Sequence, residues 1–155
     1  MKNVTDSELR DNLHTALAVR RWVEDVASRA PFASLDELLA IASAEASPLS
    51  PDEIDEAIAH HPRIGEKPAG ESASQQLSRN EQGSSTEFAE EIAAGNRAYE
   101  ERFGRVFIIR AAGRTRREIL DELTRRLELD NDVELQVVGE QLRDIALLRL
   151  EKLFA

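Results

Sequence analysis

Glycine and proline, the residues that most often punctuate regular structure, are scarce in this 155-residue chain: seven glycines and five prolines, gathered toward its middle. Both ends are therefore free to run as long uninterrupted elements, and their apolar residues recur near the helical period. Leu9, Leu13, Leu17, Trp22, Val23 and Val26 predict one helix over Asp6–Arg29, stopped by Pro31. Ser34 with Glu37 forms a capping-box pattern ahead of Leu35, Leu38, Leu39 and Ala42. After the break at Pro48, Ser50 and Pro51, a short helix is expected over Asp52–Ala59. Ser85 is the expected cap of a helix from Thr86 to about Phe103, closed by Gly104. Two further helices fit Thr115–Leu127 and Asp132–Leu153. The second carries a near-heptad stripe of Leu135, Val138, Leu142, Ile145, Leu148 and Leu153. The expected fold class is all-α: a single-domain helical bundle spanning 1–155 with an irregular central loop.

Composition narrows the function classes. A chain of this length is expected to be one domain that buries about two-thirds of its unfolded surface, and 41% hydrophobic residues is a globular composition. A net charge of −10 argues against coating nucleic acid or an anionic membrane, since both need clustered cations. Without cysteine there is no disulfide scaffold, thiolate metal site or cysteine nucleophile. No stretch has the roughly 20 apolar residues of a membrane span, and the first residues lack a signal-peptide core. A soluble, cytoplasmic domain is expected.

The segment His60–Ser85 breaks the helical pattern. It holds Pro62, Gly65, Pro68, Gly70 and Gly83, and reads either as a linker or as a functional loop on a helical scaffold. Of the three histidines, His14 sits mid-helix with no special role expected. His60 and His61 are adjacent, about 100° apart if helical, and do not suit one metal ion; no metal site is expected. Pro62 takes His61 out of the helical region, which suits a general acid or base, although an imidazolium at a helix C-terminus explains the pair equally well. Ser78, Glu81 and Gln82 share one helical face and gather hydroxyl, carboxylate and amide for a polar, urea-like ligand. The alternative is an ordinary cap or solvated face. If Phe103–Ala111 is extended and buried, its main chain needs partners; a flat amide-bearing ligand supplies them, and a simple core connection is the other reading. Finally, nine arginines face five carboxylates between Arg97 and Arg126, a local positive field suited to a small anion or simply a paired surface.

Taken in order, His61-Pro62-Arg63-Ile64-Gly65, then Ser78-x-x-Glu81-Gln82, then Phe103-Gly-x-x-Phe107-Ile108-Ile109, the sequence resembles the OHCU decarboxylase family. These enzymes convert 2-oxo-4-hydroxy-4-carboxy-5-ureidoimidazoline (OHCU) to (S)-allantoin and carbon dioxide at the end of the uric acid pathway. The likeness extends from Arg29-x-Pro31-Phe32 to Leu147-Leu148-Arg149-Leu150. It implies His61 as catalytic histidine beside the substrate-lining Pro62, and Glu81 as essential carboxylate. It also implies Ser78 and Gln82 as substrate-binding partners, and Phe107, Ile108, Ile109, Arg110 and Ala111 as the segment whose main chain holds the substrate ring. An all-α, cofactor-free lyase, usually a homodimer, is implied as well. Some members carry arginine where Ala112 stands, which leaves Arg63, Arg110 and Arg114 open for the substrate carboxylate. His60 is an extra neighbour of the histidine.

Two rival readings stand beside this one. In the first, the Leu135–Leu153 stripe docks a partner helix and the chain is a non-catalytic interaction module. In the second, the same scaffold decarboxylates another ureido acid.

Overall fold

The computed structural model describes residues 4–61, 64, 81 and 87–154. Seven helices are bounded among them: α1 (Asp6–Ala16), α2 (Arg20–Ala27), α3 (Leu35–Glu45), α4 (Pro51–Ile58), α5 (Ala89–Phe103), α6 (Arg116–Arg126) and α7 (Asn131–Leu153). No strand occurs among the described residues, as the all-α expectation requires. The chain forms two compact units, Met1–Ala59 with Gly139–Ala155, and His60–Val138.

In the first unit the expected single helix over Asp6–Arg29 is divided. Leu17 leaves α1 with φ −152° and ψ 111°, and α2 begins only at Arg20. The reason lies in Leu17, Ala18 and Val19, which are all buried. A helix would fan three consecutive side chains about 100° apart and turn at least one toward water. The break buries all three. Trp22, fully buried, donates from Nε1 to the Ala42 carbonyl at 3.0 Å and so ties α2 to α3. Ser34 caps α3 as expected, accepting from the Glu37 N–H, while Glu37 accepts from the Ala33 N–H. α4 opens on a full capping box of Ser50 and Glu53 with Pro51 in its first turn. On the half-exposed outside, Arg21 pairs with Glu53 at 2.7 Å and with Asp25 and Glu45 at 3.2 and 3.4 Å.

The second unit is organised by α5 and α6. Ser85 and Thr86, the expected start of α5, lie outside the described residues; the first described helical residue there is Ala89, and Phe88 precedes it at φ 59°. A bulky residue is costly in that region, and packing of the Phe88 ring against the unit's core offsets the cost. Gly104, at φ 71°, ends α5 where the sequence predicts. Thr115 and Glu118 form a capping box at the start of α6. The two helices meet at Gly95, where a methyl group would come within 2.4 Å of Leu123 Cδ2. Ile64, Ile92, Tyr99, Phe107, Ile109 and Leu123 belong to one buried cluster.

Along α7, Val138, Leu142 and Ile145 of the apolar stripe are buried by the chain itself, and Leu135, Leu148 and Leu153 are half-buried. The stripe is therefore largely spent on the protein's own core, which weakens the interaction-module reading. No helix among the described residues is long and apolar enough to cross a membrane.

Candidate active site

The described site residues all belong to the His60–Val138 unit. α4 ends at Ile58, and the turn that follows leaves His60 exposed and His61 half-buried. His14 is exposed on α1. Ile64, three residues beyond His61, is buried among the cluster residues, and its carbonyl accepts a 2.7 Å hydrogen bond from Asn96 Nδ2. Glu81 is half-buried in helical backbone, which agrees with the helical turn expected around it. Pro62, Arg63, Ser78 and Gln82 lie outside the described residues.

The segment after Gly104 is non-helical, with Phe107, Ile108, Ile109 and Ala111 buried and Arg110 half-buried. Three consecutive buried residues leave no solvent-facing side, so their peptide groups must find partners inside. Only one does so among the described residues: the Ile108 carbonyl accepts from Arg126 Nη1 at 2.7 Å. Phe107 and Ile109 make no backbone–backbone hydrogen bond with any described residue.

A buried ionic network sits behind this segment. Arg126 and Glu134 are both fully buried, and the guanidinium grips the carboxylate in a fork, Nε to Oε1 at 2.5 Å and Nη2 to Oε2 at 2.9 Å. Tyr99 donates its hydroxyl to Glu134 Oε2 at 2.8 Å. The Arg126 guanidinium also lies over the Phe107 ring, 4.5 Å from its centroid, and Tyr99 meets that ring edge-on at 5.2 Å. Burial, reinforced by the neighbouring Glu134 charge, pushes the Tyr99 hydroxyl up to about 12. Each nitrogen of the Arg126 guanidinium thus has an acceptor, and Nη1 points at the main chain of the candidate ligand segment.

These pairings also explain the positive field expected between Arg97 and Arg126. Arg126 is neutralised by Glu134, Arg125 by Glu122 at 2.9 Å and Arg117 by Asp121 at 3.4 Å. Arg102 and Arg116 donate to the carbonyls of Leu129 and Glu87. Of the arginines left open for a carboxylate, Arg110 and Arg114 are both half-buried, and the Arg114 Nε is buried with no hydrogen bond. Sequence reasoning did not single out Asn96, Arg126 or Glu134. The i, i+3 spacing of Asn96 and Tyr99 on α5 was the one available signal for a shared polar face.

Comparison with known proteins follows the same outline. The family model for OHCU decarboxylase matches residues 2–151. The uric acid degradation bifunctional protein TTL of Arabidopsis thaliana is 37% identical over 107 residues, covering 64% of this chain and 33% of that protein. The chain thus spans about a third of the length of this curated relative. A crystal structure of an OHCU decarboxylase in the presence of (S)-allantoin superposes with a TM-score of 0.77 at 27% identity, covering 93% of this chain and 97% of that one. An (S)-allantoin synthase matches with a TM-score of 0.68 at 20% identity, over 97% of this chain and 51% of that one, and supports the fold alone. With a match across nearly its whole length and an all-α structure that agrees, this chain belongs to the OHCU decarboxylase family.

Proposed function

We propose that this protein, residues 1–155 acting as one domain, is a carboxy-lyase that converts OHCU to (S)-allantoin and carbon dioxide in urate degradation. The observation that carries the reading is the buried, non-helical Phe107–Ala111 segment, whose peptide groups at Phe107 and Ile109 make no backbone–backbone hydrogen bond with any described residue. A flat ring edged with N–H and C=O groups is the ligand such a main chain suits.

The reaction needs no external electron sink. As the C–CO2 bond breaks, its electron pair passes toward the adjacent C=N of the substrate, whose nitrogen takes up a proton. The resulting enol collapses to the carbonyl as a proton is added to the ureido-bearing carbon. The protein must orient the carboxylate out of the ring plane and deliver that proton to one face. In this reading His61 relays the proton and Glu81 holds the substrate hydroxyl or a ureido N–H. Ser78 and Gln82 fix the ring from their side, beside Pro62, and the main chain of Phe107, Ile108, Ile109, Arg110 and Ala111 holds it from the other. A half-buried histidine and a half-buried carboxylate suit this work, being neither lost to the core nor fully solvated. The working form is a cytoplasmic homodimer without cofactor, checked by sedimentation of the purified protein.

The activity is tested by generating OHCU in situ from carbon-13-labelled urate with uricase and hydroxyisourate hydrolase, and following release of labelled carbon dioxide. Release well above the spontaneous rate, proportional to protein added, is expected. Folded protein that leaves the rate unchanged overturns the reading.

A further inference from the structure

Asn96 is buried to 6% exposure in α5, and its two amide atoms are used unequally. Nδ2 donates to the Ile64 carbonyl at 2.7 Å, across 32 residues of sequence, whereas Oδ1 is buried with no hydrogen bond. A residue kept for packing alone would be better served by leucine, which has the same branching and no polar atom to desolvate. The amide is retained at a cost, and what it supplies is a donor aimed at one carbonyl. That carbonyl belongs to the third residue after His61, within about 11 Å of chain at full extension. The Ile64 side chain is itself buried in the cluster that contains Phe107 and Ile109.

One turn further along α5 the same helix face presents Tyr99. It reaches Glu134, then Arg126, then the Ile108 carbonyl. One helix therefore reaches two carbonyls of the unit: Asn96 holds that of Ile64 directly, and Tyr99 reaches that of Ile108 through Glu134 and Arg126. We propose that Asn96 is a positioning residue that sets His61 in register with the Phe107–Ala111 segment, and so sets the face to which the proton is delivered. The proposal rests on the decarboxylase reading above and adds to it a residue that touches no substrate.

The test is Asn96→Leu, with the wild type assayed in parallel for kcat, KM and enantiomeric excess of allantoin, at enzyme concentrations where turnover exceeds spontaneous decay. Displacing a catalytic group by about 1 Å costs up to ~100-fold in rate. The expected result is a folded variant with kcat reduced ~10- to 100-fold, KM little changed and enantiomeric excess lowered. Should the leucine variant fail to fold, Asn96→Ala carries the same test, since a methyl group has no proton for the Ile64 carbonyl and is smaller than the amide it replaces. A folded variant with wild-type kcat and enantiomeric excess overturns the role of Asn96 while leaving the activity in place. So does one whose only change is a raised KM, because that marks a ligand contact. An inactive wild type overturns the decarboxylase reading, and this proposal falls with it.

Discussion

The chain has one tryptophan and one tyrosine, one in each compact unit, and both are fully buried. Trp22 finishes its hydrogen bonding on a neutral backbone carbonyl of the next helix. Tyr99 finishes on a carboxylate that is gripped by a buried guanidinium, which in turn reaches the main chain of the candidate ligand segment. In the first unit the arginine–carboxylate pairs around the half-exposed Arg21 lie outside, and the buried Arg149 donates to the Thr15 carbonyl at 3.3 Å. The second takes such a pair into its interior. Burying an ion pair is a poor route to stability, because apolar residues of similar volume often do as well or better. The difference teaches that a buried ion pair can serve an end other than stability: in the second unit it fixes the guanidinium that holds one particular peptide group, the Ile108 carbonyl.

Breaking the interior pair gives the largest expected effect on stability. Glu134→Ala leaves the Arg126 charge buried and uncompensated, and is expected to cost about 3–5 kcal/mol, read by denaturant unfolding. A Glu134→Leu, Arg126→Met double variant sharpens the point. It is expected to recover much of that stability while activity stays low, because the Ile108 carbonyl loses its donor. Tyr99 reports the same network. Its hydroxyl is held above its ordinary value, so the neutral form contributes stability fully below pH 10. That stability is lost as pH rises through about 12. Tyrosinate absorbance should therefore appear together with unfolding above pH 10, and not before it.

The residues proposed to be catalytic come next. His61→Asn and Glu81→Gln are each expected to lose at least ~100-fold in kcat, about 2.7 kcal/mol of barrier, with unfolding midpoints unchanged. In the other unit, Trp22→Phe keeps the ring and orphans the Ala42 carbonyl, for an expected loss of about 1–3 kcal/mol and no change in kcat. The smallest effect is Arg21→Ala, at most about 1 kcal/mol, since the side chain is 39% exposed. The hydrogen-bonded Arg21 holds the Glu53 carboxyl below its ordinary value of 4.5. That contribution is present above pH 4.5 and lost as pH falls through the lowered value. Acid titration of Arg21→Ala should accordingly show a smaller loss than the wild type.

How much of this was legible in the sequence depends on whether a signal is local. Caps are local: Ser34 with Glu37 and Gly104 after α5 act within one turn, and each is where the chain says it is. The all-α class follows from the same signals. The break at Leu17–Val19 was not legible, because the apolar periodicity continues through it and only tertiary burial shows why the helix yields. The motif residues were recognisable as a constellation, and Ile64 with Phe107 and Ile109 do meet in one cluster. The parts that hold them were not visible. Arg126 and Glu134 are eight residues apart on different helices, and Arg126 reads in sequence as one more cation of a positive field. Asn96 is polar on a helix, where a solvated face is the ordinary expectation, and only its contact with a residue 32 positions away gives it meaning.

The most direct test of the account is circular dichroism of the in situ reaction, with urate, uricase and hydroxyisourate hydrolase present and this protein added or withheld. The account predicts rapid growth of the (S)-allantoin signal above the slow racemic background, and loss of that gain in His61→Asn. An unchanged dichroic trace with folded wild-type protein would contradict it.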